Sequence, residues 1–354
     1  MAEYANAAVA RRILWASLLI APATVAVKYL AHPGAVTLFV LAAVALIPLA
    51  WLIGESTEHA AEHTGPGIGG FLNASFGNAP ELIIALFALG DNLPQVVRGS
   101  LAGSVVSNLL LVYGFAQLAG PNDARIDRRS LLAQVALVGV AVVGFAVPVA
   151  LGNSGNPDRH SLVVTSIPFA AVLLLVYLGI VGRNLREHRA RERAAPSEGS
   201  WTLLKALLWL AVATGATTWV SEILVDSLDA FGRAVGLSEF FIAIVIVAVV
   251  GNAAEHGSAV VIARNGKMEL ATEIPISSSA QVALFVVPLI ALCSLAFAHP
   301  LSLAFRWQEL VAMAGSVGLV GVMVSDGRSR RWEGALLLVA FAAAVVGFAI
   351  AGNR

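Results

Sequence analysis

Eleven apolar segments, most of them about 20 residues long, follow one another along the chain, joined mainly by short stretches rich in Gly, Pro, Asn and Asp. A helix that crosses the hydrocarbon core of a bilayer needs roughly 20 such residues, and connections of this composition end helices. The segments cover residues 13–30, 36–53, 68–89, 96–118, 131–151, 162–181, 201–224, 240–263, 274–298, 309–325 and 335–351. They predict an all-α polytopic membrane protein with eleven transmembrane helices. Only 12% of the chain is charged against 58% hydrophobic, so no stretch is polar enough for a separate soluble domain, and residues 1–354 read as a single membrane domain in a lipid bilayer. The formal net charge is zero, which argues against nucleic acid as a partner. The one cysteine, Cys293, lies in an apolar run. It can form neither an internal disulfide nor a cysteine metal site, and reads as a buried small hydrophobe. Arg11 and Arg12 precede the first run as in a secretory leader, but the run continues to Leu30 and further spans follow. It is expected to be a retained first helix over 11–31.

The basic residues set an orientation. With the N-terminus inside, the inner connections hold sixteen of the 22 lysines and arginines, among them Arg125, Arg128, Arg129, Arg264, Lys267, Arg328, Arg330 and Arg331. The outer ones hold the remaining six: Lys28, Arg98, Arg159, Arg233, Arg306 and Arg354. The positive-inside rule then predicts a cytoplasmic N-terminus and an external C-terminus. The linker over 184–200 is the most basic connection and reads as a solvated inner loop.

The sequence repeats itself. Gly77-Asn78-Ala79-Pro80-Glu81 in the third segment and Gly251-Asn252-Ala253-Ala254-Glu255 in the eighth both read G-N-A-x-E. Thr57-Glu58 precedes the first and Ser221-Glu222 the second. After them come Gly103-Ser104-Val105-Val106-Ser107-Asn108 and Ser277-Ser278-Ser279-Ala280-Gln281. The repeat unit is five spans, over 36–183 and 201–351, with the first helix outside it. Because five is odd, the two units enter the membrane from opposite sides, an inverted repeat of the kind secondary transporters use to build a midplane site.

A carboxylate in mid-membrane costs about 2.5 kcal/mol or more and points to function, so Glu81 and Glu255 are the expected cation- and proton-exchanging pair. Asn78 and Asn252, three residues earlier, share a helical face with them. Gly77, Gly251 and Pro80 weaken the helix and free carbonyls. Asn108, Gln281, Ser104, Ser277 and Ser278 are expected to line the site. Glu58 and Glu222 are secondary acidic candidates near span ends. His256 reads as a packing residue or a proton relay, Pro275 and Pro288 as kinks in the ninth span, and Glu58, His59, Glu62 and His63 as a solvated polar face. Two carboxylates with amide and backbone oxygens form a hard site of the kind Ca²⁺ prefers. Without a cation the pair repels itself and takes up a proton, so cation and proton compete for the same groups.

These stretches resemble the Ca²⁺/H⁺ exchanger (CAX) family of the Ca²⁺/cation antiporter superfamily. The likeness lies in Gly69–Glu81 (GGFLNASFGNAPE), Val250–Val260 (VGNAAEHGSAV), Val220–Val225 and Ser277–Pro288, and it covers nearly the whole chain. The resemblance implies a lone first helix plus two inverted five-helix repeats, with Glu81 and Glu255 exchanging Ca²⁺ for H⁺. It also implies a multi-pass protein of the cell (inner) membrane, with no cofactor beyond the transported Ca²⁺, and it admits a homo-oligomer. Pro80 departs from many members and is similar to the Pro-Glu pairing of Na⁺/Ca²⁺ exchangers. The basic linker lacks the acidic run of some members. The alternative on the same scaffold is Na⁺ or K⁺/H⁺ antiport. A cation channel ranks below it, as does an intramembrane enzyme, for which the chain has no H-E-x-x-H set; the chain is therefore not expected to be an enzyme.

Overall fold

A computed structural model describes residues 11–152, 159–188 and 201–352, with backbone only at 65–71, 73, 74, 152 and 184–188. Linker residues 189–200, Arg354 and most side chains of the Gly69–Ala74 signature lie outside the described residues. The helices are α1 (Arg11–Leu30), α2 (Ala35–Phe76), α3 (Ala79–Gly90), α4 (Pro94–Ala119), α5 (Arg128–Gly152) and α6 (His160–His188). Then come α7 (Leu203–Val235), α8 (Glu239–Gly251), α9 (Ala253–Arg264), α10 (Met268–Ala296), α11 (Trp307–Val324) and α12 (Arg331–Ala351). Two short strands, β1 (Ala124–Arg125) and β2 (Arg328–Ser329), pair antiparallel.

The ends of these helices follow from local chemistry. Thr202 caps α7 by accepting from the Lys205 N–H (3.3 Å), and Ser238 caps α8 by accepting from the Phe241 N–H (3.0 Å). Pro94 opens α4, where its missing N–H costs nothing. Among the described residues nine helices are long and apolar enough to cross a membrane, ten if α8 and α9 are one broken span. The third expected segment differs. Helical conformation is continuous from Ala35 through the expected connection to Phe76, and only the twelve residues of α3 follow the break at Gly77-Asn78. The eighth is likewise divided at Asn252, with a bend of 52°. In both places the G-N pair stops the helix where hydropathy runs on, because an asparagine competes with its own backbone for hydrogen bonds.

The chain forms two compact units, Met1–Phe87 with Val181–Gly236 and Ala88–Ile180 with Leu237–Arg354. In the first, α2 packs along α7. Phe39 stacks on Phe231 (4.1 Å between rings), and Lys28 pairs with Asp226 (2.9 Å). Near the start of α1, Trp15 contacts Trp51, Trp201 and Trp209, and Arg11 pairs with Glu55 (2.9 Å). The expected solvated face on α2 is corrected here. Glu58 is exposed, but His59, Glu62 and His63 are half-buried. His59 stacks on Trp201, and His63 Nε2–H donates to the Trp201 carbonyl (2.6 Å).

In the second unit α4 is buried along most of its length. Its close approach to α8 depends on Gly103, where a Cβ would stand 2.0 Å from the Ile244 carbonyl oxygen. Small residues at such crossings let membrane helices touch backbone to backbone. A second crossing joins α4 to α12, since a Cβ on Gly334 would come within 2.6 Å of the Gly114 oxygen. One end of the unit is fastened by β1 and β2, which bring together the α4–α5 and α11–α12 turns. At the other end Arg306 binds Gln95 and the Gly352 carbonyl, joining the α3–α4 and α10–α11 connections to the end of α12. Arg98, expected in an outer loop, is instead buried (3% exposed) within α4 and donates to the Ser302 carbonyl (3.3 Å). Cys293 is half-buried rather than buried. Pro275 and Pro288 sit inside α10, whose irregularity is a π-helical stretch at Val282–Val286. Similar stretches occupy Ser107–Val112 of α4 and Ile242–Val247 of α8.

Candidate functional site

The α8–α9 break is built around Asn252, which is 1% exposed. Its Nδ2 donates to the Ala248 carbonyl (2.8 Å) and to Ser104 Oγ (2.9 Å). A carbonyl can only accept, so this contact fixes which end of the amide is nitrogen. Asn252 Oδ1 must then accept, and it does so from Asn108 Nδ2 (3.1 Å), which also donates to Ser278 Oγ (2.9 Å). The orientation of Asn108 follows in turn. Four helices, α4, α8, α9 and α10, are therefore tied together by one polar network in an otherwise apolar bundle.

Glu255, in the first turn of α9, faces Ser278 and Asn108 of this network. Its Oε2 and the Asn108 Oδ1 are shielded from solvent and have no hydrogen-bond partner among the described residues. His256 Nε2 is similarly unpartnered. The first two atoms are acceptors, and a buried acceptor without a donor is costly in the membrane. What suits this place is a group that brings positive charge: a proton on the carboxylate, or a cation held by oxygen. Ser277 is half-buried and bonds back to Ile274 (3.0 Å), and Gln281 is half-buried one turn further on. Gly251 is buried at the break.

The first unit holds the matching half-motif. Gly77 and Asn78 lie between α2 and α3, with Asn78 1% and Glu81 7% exposed. The Asn78 carbonyl accepts from the Leu82 N–H (3.1 Å), which starts α3, and Pro80 stands in its first turn. Glu58 and Glu222 are exposed on α2 and α7, unlike the two motif glutamates.

Some polar residues of the second unit escaped the sequence reading. Ser279 bonds back to Pro275 (2.9 Å) beside the network. Tyr113, Gln117, Glu309 and Glu333 are each buried to 2% exposure or less. Glu309 and Glu333 each stand in the first turn of a helix, where each accepts from a backbone N–H, at Arg306 or Arg330. Gln117 and Tyr113 carry a readable signal, namely two polar side chains four residues apart inside an apolar segment.

Helices that break at matching G-N-A-x-E motifs, a carboxylate at each break and a polar network across the second belong with a membrane transporter. The sequence matches the sodium/calcium exchanger protein family over residues 34–185 and 205–350, and the chain belongs to that family. It is 37% identical over 337 residues to the Ca²⁺/H⁺ antiporter ChaA of Bacillus subtilis, covering 90% of this chain and 93% of that one. A Ca²⁺/H⁺ antiporter of Aphanothece halophytica is 35% identical, with 88% and 89% covered. The solved structure of native YfkE superposes with a TM-score of 0.83 at 34% identity, covering 95% of this chain and 99% of that one.

Proposed function

We propose that this chain is a Ca²⁺/H⁺ antiporter that exports Ca²⁺, or another divalent cation, from the cytoplasm of a cell in exchange for protons. The observation that carries the reading is the pair of shielded, donor-less oxygens of Glu255 and Asn108 at the α8–α9 break. The antiporter relatives support the coupled ions. In the mechanism, ionised Glu81 and Glu255 together hold Ca²⁺, assisted by Asn78, Asn252 and the broken-helix backbone. Two negative charges balance a divalent ion. After the protein changes face, protons neutralise both carboxylates and release Ca²⁺, and the protonated form returns. The basic connections support a cytoplasmic N-terminus and an external C-terminus. The alternative substrate, Na⁺ or K⁺, shares the oxygen chemistry but leaves one carboxylate charge unbalanced.

Inside-out vesicles holding an acid-inside gradient test this. Ca²⁺ should collapse the gradient where Na⁺ and K⁺ do not, and Glu81→Gln and Glu255→Gln should each reduce that flux by about a hundredfold or more while the protein still folds. A response to Na⁺ alone would reassign the substrate, and full Ca²⁺ response in either variant would remove the glutamates from the mechanism.

A further inference from the structure

Through and beyond the network at Asn252, α4 carries the polar side chains Ser104, Asn108, Tyr113 and Gln117. The spacings are four, five and four. In a regular α-helix a step of four keeps two residues on one face, but a step of five carries the second about 140° away. The step of five falls across the π-helical stretch Ser107–Val112, and the Tyr113 N–H bonds to the Asn108 carbonyl, an i to i+5 bond. Such a turn takes up one more residue, so Tyr113 is brought back beneath Asn108. The π turn thus lines up the four polar side chains as one column.

The column ends at the charged turns. Gln117 Nε2 donates to Glu333 Oε2 (3.3 Å). Arg330 bonds Glu333 (3.1 Å) and Asp326 (2.7 Å) and lies 3.5 Å from Asp123. The Gly114–Gly334 crossing holds this arrangement, because the residues that precede those glycines are Tyr113 and Glu333. Capping α12 accounts for Glu333. It does not account for Tyr113 Oη, Gln117 Oε1 and Ser329 Oγ, which are buried with no hydrogen-bond partner among the described residues. Three orphaned polar atoms in one buried region are what ordered water satisfies, and hydroxyls bridged by water conduct protons.

We propose that the α4 column, continued by water to Glu333 and the charged turns, carries protons between Glu255 and the β1–β2 end of the unit, with the Tyr113 hydroxyl as the obligatory relay. Each hop conserves charge: the hydroxyl oxygen accepts a proton from one side and releases its own to the other. With β1 and β2 on the cytoplasmic side, this is the route by which protons leave after driving export. The inference rests on the antiport reading and concerns one limb of it.

The test separates proton delivery from cation handling. Purified protein in liposomes is assayed for Ca²⁺-driven proton flux and, at symmetric pH, for exchange of external against internal ⁴⁵Ca²⁺, which the cation-bound form completes without protons. Tyr113→Phe keeps the ring and its packing. It should slow Ca²⁺/H⁺ exchange at saturating Ca²⁺ by about tenfold or more, with Ca²⁺/Ca²⁺ exchange and the half-saturating Ca²⁺ unchanged. Gln117→Leu should give the same split. Wild-type proton flux in Tyr113→Phe would overturn the proposal, and so would equal loss of both exchanges, which marks a structural role. Wild-type protein whose net ⁴⁵Ca²⁺ uptake, with no Ca²⁺ on the opposite side, is unaccompanied by proton flux would instead defeat the antiport reading beneath it.

Discussion

Helices α4 and α10 hold matching places in the two halves of the chain. Each carries serines and an amide at the start of a π-helical stretch: Asn108 is its second residue in one, and Gln281 immediately precedes it in the other. Beyond that point they diverge. α4 continues with Tyr113 and Gln117 on the aligned face, whereas α10 continues with Val286 and Ile290, both 0% exposed. On the proposed antiport reading, a repeat of this kind makes two helices alike where both meet one cation. It leaves them free to differ in how each connects the site to an opposite side of the membrane. The polar limb lies on α4, and the matching limb of α10 is sealed.

The largest effect should come from the crossing that positions α4. Gly103→Leu drives side-chain atoms into the Ile244 carbonyl and Ala248, and should cost about 3 kcal/mol or prevent folding, seen as loss of the thermal transition in detergent. Gly215→Ala on α7, with nothing within 4 Å of its Cβ, is the control and should melt like the parent protein. Next comes the direct contest between the two amides. Asn108→Ala removes donors to Asn252 and Ser278 and should lower stability by about 2 kcal/mol and exchange by about tenfold or more. Gln281→Ala should do markedly less, and equal losses would break the comparison. Val286→Thr adds a hydroxyl to the sealed limb at nearly constant shape. It should cost about 1 kcal/mol and leave the rate of Ca²⁺-driven proton flux unchanged; a faster rate would show that the seal on α10 limits proton flow.

The smallest effect is expected at the turn where the α4 limb ends. Desolvation disfavours the Asp326 anion, but the Arg328 N–H and the Arg330 and Arg328 charges together outweigh it and hold the carboxyl below its ordinary value of 3.8. A carboxyl depressed in the folded state contributes stability above the unfolded pKa and loses it as pH falls through the folded one. Asp326→Asn should therefore lower the melting temperature slightly at neutral pH, with the difference vanishing on acidification below about pH 4.

The candidate acids stood out because an acid in an apolar run is costly and the chain carries one at each matching motif, Glu81 and Glu255. Asn78, Asn252, Asn108 and Ser278 followed from their place in the repeat. Helix boundaries were less legible: hydropathy cannot distinguish an apolar turn from an apolar helix, so the breaks at Asn78 and Asn252 were hidden inside single segments. Arg98 was misread for the converse reason, since a charge near a segment end looks solvated until a partner such as the Ser302 carbonyl is seen. The π turns were illegible altogether. They arise from how α4, α8 and α10 pack, and the spacing of Asn108 and Tyr113 gains meaning only once the extra residue is known.

The tryptophan cluster of the first unit has a spectroscopic consequence. Four of the chain's seven indoles, Trp15, Trp51, Trp201 and Trp209, meet there, close enough to pass excitation among themselves. Trp201 carries the His59 imidazole against its face at 4.7 Å, a position from which a protonated ring quenches emission. The intrinsic fluorescence of the unlabelled protein is therefore weighted toward a single corner of α1, α2 and α7. It supplies a built-in optical gauge of that corner during transport.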